Sequence, residues 1–132
     1  MQLIDTSLLD KVSEEARKNT RLRMNFNYHA NAGSPSQRLL NAIEPGSVLP
    51  VHRHRHTDET YILIRGRIRM FFYNQDGHIT EDEVLDPLNG QFGVNIPAGQ
   101  WHTLEVLEPG SVIFECKDGP YTPLSPEDCL II

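Results

Sequence analysis

The hydrophobic period of the chain changes once, near residue 20. From Asp5 to Lys18 the apolar positions Leu8, Leu9, Val12 and Ala16 fall on one helical face. Glu14 and Lys18 form an i,i+4 pair on the opposite side. Thr6 or Ser7 can cap this segment, and Asp10, three residues after Ser7, resembles a capping box. The pattern predicts one short helix over 5–18. A helix of that length is marginal alone, so it must pack on something.

From Arg21 onward the period is two. Leu22, Met24, Phe26 and Tyr28 alternate with Arg21, Arg23, Asn25, Asn27 and His29, the pattern of a half-buried strand. "NAGSPS" is a loop, and "QRLLNAIEPG" is a second strand ended by Pro45-Gly46. "TYILIRGRIRMFFY" holds two strands with a turn near Gly66, and "NQDGH" is a hairpin turn centred on Asp76-Gly77. Pro87, Gly90, Pro97-Ala98-Gly99 and Pro109-Gly110 cut the following stretch into further short strands. Many short strands with Gly and Pro turns predict an all-β sandwich or barrel over 21–117. The tail, 118–132, has three prolines and no period, and reads as an extended segment over the barrel. At 132 residues the length fits one domain.

Composition narrows the partners. The net charge is −6 and the pI about 5.4, which argues against nucleic acid. No apolar run approaches the roughly 20 residues of a membrane helix. The opening segment is acidic and polar by its fifth residue and does not read as a signal peptide. Cys116 and Cys129 lack CxxC spacing, so the expected setting is a reducing cytoplasm. Arg53, Arg55, Arg65, Arg67 and Arg69 crowd the middle of the chain. They read as the wet face of strands, with a basic rim for an anionic ligand as the alternative.

Candidate chemistry centres on "PVHRHRHTDETYILIRG", residues 50 to 66. Residues two apart on a strand point the same way, so His52 and His54 share a face and Arg53 and Arg55 take the other. Glu59 heads a buried strand, where a carboxylate is costly unless paired or coordinated. In "IPAGQWHTLEV", His102 follows a Pro-x-Gly turn just as a strand begins. Three imidazoles and a carboxylate suit one divalent transition metal such as Zn, Fe, Mn or Ni. The set has no thiolate, which argues against a structural zinc site.

These residues carry a resemblance. Gly46-x5-His52-x-His54-x4-Glu59-x6-Gly66 resembles the first motif of the cupin superfamily at every defined position. Pro97-x-Gly99-x2-His102 resembles the second, with two departures. Six residues lie between Gly90 and Pro97 where the motif has five, which implies a bulge or a shifted strand start. Val106 stands where the motif has asparagine. The helix, "RMNFNYHANAGSPSQRLL", "IPAGQWHTLEVLEPGSVIFE" and "KDGPYTP" extend the likeness to the WbuC family of small cupin-fold metalloproteins. The resemblance implies a double-stranded β-helix with His52, His54, Glu59 and His102 as metal ligands. It also implies a homodimer and a bacterial surface-polysaccharide (O-antigen) context.

The expected function is binding or conversion of a small, anionic, sugar-like ligand at that metal, with an isomerase or epimerase favoured. A non-catalytic metal- and ligand-binding module and an Fe(II) dioxygenase are the alternatives. His56, in the loop before Glu59, and Tyr61, which shares the parity of Glu59, are the candidate proton carriers. Trp101 is a wall residue or a sugar-stacking platform. Gln37, Arg38, Asn25, Asn27 and His29 can border the mouth, with Arg38 placed to meet an anionic group.

Overall fold

The computed structural model describes residues 1–130. Helix α1 spans Thr6–Lys18. Its cap is Asp5, one residue before the expected Thr6 or Ser7. The Asp5 backbone is extended, and its carboxylate accepts from the Leu8 amide at 3.0 Å, so Thr6 is already inside the helix.

Among the described residues ten strands follow: β1 Arg23–Asn27, β2 Ser36–Ile43, β3 Val51–His52, β4 Glu59–Arg65, β5 Ile68–Tyr73, β6 Ile79–Leu85, β7 Gly93–Ile96, β8 Trp101–Val106, β9 Ser111–Asp118 and β10 Cys129–Leu130. They form two five-stranded antiparallel sheets, ordered β1-β2-β9-β4-β7 and β10-β3-β8-β5-β6. Consecutive strands alternate between sheets across most of the chain, which makes the structure the expected double-stranded β-helix with a short N-terminal helix.

Two apolar layers hold it. Ile43, Leu63, Ile113, Ile68, Met70 and Leu104 meet between the sheets. On the outer face of the first sheet, Leu9, Val12 and Ala16 of α1 pack on Leu40, Ala42, Val112, Met24 and Phe26. That burial, about 1.5–3 kcal/mol for each large side chain, is what a 13-residue helix needs to persist. It also makes β2 buried on both faces at its C-terminal half.

Two turns show why their residues are required. Gly66, between β4 and β5, has φ +97°, and a Cβ there would lie 2.1 Å from Ser111 Oγ. Gly90 has φ +80° and ends a single 3-10 turn, Pro87–Asn89. The extra residue between Gly90 and Pro97 is therefore absorbed in the loop before β7, where Asp86 and Gln91 form an isolated bridge. The tail differs from the expected simple extended segment. It forms a second 3-10 turn, Pro126–Asp128, and then β10, where Cys129 pairs with His52. Residues 131 and 132 of that tail lie outside the described residues.

A candidate metal centre at the barrel mouth

Register fixes which side chains look inward. In the first sheet Gln37, Lys117, Glu59 and Ile96 stand in one cross-strand row. The next row is Asn27, Leu39, Glu115, Tyr61 and Val94. Directly paired antiparallel residues share a face, so the row after these, Asn25, Asn41, Ile113 and Leu63, leads down to the apolar core. In the second sheet His52 pairs with His102, and His102 with Phe72. Glu59 at the start of β4 thus faces the two paired histidines across the barrel. His54 lies just past β3, and its carbonyl accepts from the Gly99 amide at 2.8 Å. The Ala98 amide donates to Asp58 Oδ1 at 2.8 Å. These two bonds tie the Pro97-Ala98-Gly99 turn to the His54–Glu59 loop and hold His102 against it.

The four polar groups converge. Ligand atoms of His52, His54 and His102 lie within 4.8 Å of one another. Glu59 Oε1 is 3.4 Å from His54 Nε2 and 3.5 Å from His102 Nε2. Two donors bound at about 2.1 Å to one tetrahedral ion stand about 3.4 Å apart, so these separations are those of atoms sharing a metal. His52 Nδ1 lies 2.9 Å from the Pro50 carbonyl, and His102 Nδ1 lies 2.9 Å from the Gln100 carbonyl. A carbonyl only accepts, so both Nδ1 atoms carry protons and both Nε2 lone pairs are left for the centre.

The residues therefore fit a metal. Glu59 is 4% exposed and His102 1%. Glu59 Oε1 and His102 Nε2 are buried without any hydrogen-bond partner. Orphaned acceptors of that kind are costly in a closed interior, and a bound cation satisfies both. Burial lowers His52 to about 4, with the neighbouring His102 acting the same way. Burial also lowers His54. Both are neutral imidazoles at neutral pH, the form that can bind a metal. Burial alone would raise Glu59, whereas a proton shared from His102, a charged His54 and Lys117 would each lower it, and Lys117 is a cation beside the carboxylate in either state of the histidines.

The centre opens on a cavity of about 760 Å³, bordered by His52, His54, Glu59, Tyr61, Glu115 and Lys117 near the histidines and by the polar face of β1 at the far wall. That volume suits a small organic ligand.

Over residues 4–85 the sequence matches the family model described as Domain of unknown function (DUF6016). The chain belongs to this family. No curated protein matches this DUF6016 chain. Solved structures do. KdgF from Halomonas sp. is similar at 17% identity and a TM-score of 0.60, over 76% of this chain and 82% of that one. The capsular polysaccharide assembling protein CapF from Staphylococcus aureus is similar at 17% identity and a TM-score of 0.55, over 80% of this chain and 30% of that one. The Schizosaccharomyces pombe Cnp3 cupin domain shares 9% identity at a TM-score of 0.57, over 73% of this chain and 64% of that one. At these identities the likeness shows a cupin fold.

Within the DUF6016 chain, Gln37 and Tyr61 line the cavity together with His52, His54 and Glu59. Gln37 is held there by its own loop, since its amide nitrogen donates to the Ser34 carbonyl at 2.9 Å. Three other candidates stand elsewhere. Arg38 is exposed and alternation turns it away, because Gln37 and Leu39 on either side face inward. Trp101 faces outward as the neighbour of His102, and the Arg53 guanidinium covers its ring at 4.5 Å. His56 is exposed and borders an adjoining hollow of about 470 Å³ beneath the tail, which shares His54 and Lys117 with the cavity. No basic rim forms from the arginine-rich stretch. Arg53, Arg55, Arg65, Arg67 and Arg69 all hold carboxylates at 2.6 to 3.5 Å, those of Asp128, Asp10, Glu108 and Asp82.

The cavity also holds residues that the sequence did not single out as site residues. Glu115 stands beside Tyr61 in register. Its burial and the Glu59 charge raise its carboxyl to about 7. Burial, then Glu115 and Glu59, push the Tyr61 hydroxyl well up. Lys117, Arg21 and Arg23 are the cavity's long cations. The available signal was parity: Glu115 and Lys117 alternate with Phe114 and Cys116, and Arg23 shares the polar side of β1 with Asn25 and Asn27.

Proposed function

We propose that residues 1–132 form one cupin domain in which His52, His54, Glu59 and His102 hold a single divalent transition metal. There the domain binds or converts a small, anionic, sugar-like ligand. The observation that carries this reading is the orphaned pair, Glu59 Oε1 and His102 Nε2, buried 3.5 Å apart with the ring nitrogens of His52 and His54 clustered beside them. When bound, the metal polarises a carbonyl or hydroxyl of the ligand. The chain's own residues supply the rest. Tyr61 and Glu115, paired at the cavity wall, hold and move a proton at the ligand carbon beside that group, the step an isomerase or epimerase needs. Glu115, raised to about 7, is divided between its two protonation states near neutral pH.

CapF is described as a capsular polysaccharide assembling protein, and the motif resemblance points to WbuC and O-antigen clusters. Together they support a cytoplasmic role in bacterial surface-polysaccharide metabolism, carried out by a homodimer. The test is metal content by mass spectrometry of protein purified without a histidine tag, for wild type and His102→Ala. About one equivalent of a transition metal in wild type and far less in the variant is the expected result. No metal, and no affinity for added zinc, manganese, iron or nickel in wild type, would overturn the reading. With metal present, turnover of sugar derivatives that Glu115→Gln abolishes supports conversion. Tight binding with no turnover assigns a binding module, and oxygen consumption with iron assigns the dioxygenase.

A further inference from the structure

The chain is acidic, and most of its arginines are matched. Six of its nine arginines hold a carboxylate: Arg17 with Glu44, and the five of the central stretch described above. Among the described residues, Arg21, Arg23 and Arg38 hold none. Arg38 is on the open surface. Arg21, in the turn before β1, and Arg23, the first residue of β1, instead both line the cavity. Arg23 is half-buried and anchored on one edge, where Nη1 donates to the Val48 carbonyl at 3.0 Å and approaches Ser47 Oγ at 3.4 Å. Its burial, and then the charge of Arg21, act against its own. Two like charges set together on a cavity wall, without a carboxylate, cost stability unless something anionic sits between them. The protein has spare carboxylates and places none there.

The position says which part of a ligand they would meet. Asn27, Leu39, Glu115 and Tyr61 form one row across four strands, so β1 stands three strand spacings from β4. That is about 14 Å of sheet. Arg23 also lies two rows deeper along β1 than Asn27, in register with Ile43. An anion held by this pair therefore lies across the cavity from the strand that carries Glu59. Lys117, next to Glu59 in register, is the nearer cation and has no carboxylate partner among the described residues.

We propose that Arg21 and Arg23 form an anion subsite on the far wall of the cavity, and that the ligand carries a phosphate or carboxylate remote from its metal-chelating end. The planar guanidinium fork suits either group bidentately. This inference rests on the cavity being the ligand site of the metal centre.

The test follows arginine Nε–Hε signals by NMR while zinc-loaded and metal-free protein are titrated with inorganic phosphate and, separately, with glucuronate. The expected result is saturable shifts of Arg21 and Arg23 with Arg38 unmoved, and at least tenfold weaker binding in R21Q/R23Q at unchanged zinc content. Arg21→Gln alone, at an exposed position, is expected to weaken binding about threefold, which keeps the test decisive if the double variant folds poorly. A stronger response to phosphate or to glucuronate names the group. Equal shifts at Arg38, or unchanged affinity for both anions in the folded variants, would overturn the subsite. Loss of the metal reading looks different: zinc fails to bind wild type while phosphate still moves Arg21 and Arg23, and the subsite stands.

Discussion

Glu59 is the most informative side chain to change, because Glu59→Gln keeps the volume and one oxygen but removes the charge. Its Oε1 stands 3.4 and 3.5 Å from two imidazole nitrogens, so as a ligand it is the only anionic one. Losing a mere hydrogen-bond partner of a ligand costs 10–100-fold in affinity, so losing the anion itself should cost at least about 100-fold, or about 2.7 kcal/mol. The assay is calorimetric melting with and without metal, each protein against its own chelator-treated form, so baseline differences cancel. At metal equal to 100 times the wild-type Kd, binding stabilises wild type by about 2.7 kcal/mol. Unfolding entropy for a chain of 132 residues is about 0.28 kcal/mol per kelvin. Wild type should therefore gain about 10 °C. With Kd raised 100-fold the variant gains only about 0.4 kcal/mol at the same metal concentration, or 1–2 °C. An equal rise in both proteins would remove Glu59 from the ligand set and leave its burial unexplained.

Two further outcomes follow from the same geometry. His52 titrates at about 4, well below its ordinary value, because it is buried; a lowered folded value gives stability that is complete above about pH 6.5 and lost as the pH falls through 4. Urea midpoints of metal-free wild type should fall across that window more steeply than those of His52→Asn, by up to about 3 kcal/mol in stability, and parallel curves would show the imidazole to be solvated. Gly66→Ala should cost about 2–5 kcal/mol, combining positive φ with a Cβ driven into Ser111 at 2.1 Å. Gly90→Ala, with φ +80° but open space, should cost about 1–2 kcal/mol in the same urea titration; equal losses would refute the packing argument.

Most of the fold was legible because its signals are local. The switch from helical to two-residue period sits where α1 gives way to β1, and Gly66 and Asp76-Gly77 mark turns that the structure contains. The helix cap was misplaced by one residue because Asp, Thr and Ser are all good caps and stand consecutively. β10 was missed because two residues paired with β3 have no periodicity to read. Its place depends on Arg53 and Arg55 reaching Asp128, more than 70 positions away.

The cavity was harder to read than the centre beneath it, for a physical reason. A metal site needs donors of restricted type at fixed spacing, so His52, His54, Glu59 and His102 announce themselves. A ligand cavity needs only a polar face, and a polar face along a strand has the same alternation whether it looks at bulk water or into a barrel. Arg21 and Arg23, and Glu115 and Lys117 on β9, therefore drew no notice, whereas Asn25, Asn27 and His29 read as bordering the mouth and do line the cavity. Arg38 and Trp101 read as site residues although each lies one position off parity with a neighbour that faces inward. What separates the two cases is pairing. The five arginines of the central stretch found carboxylates, whereas Arg21 and Arg23 on the cavity wall did not, and in a chain with eighteen acids that difference supports the wall as a binding surface.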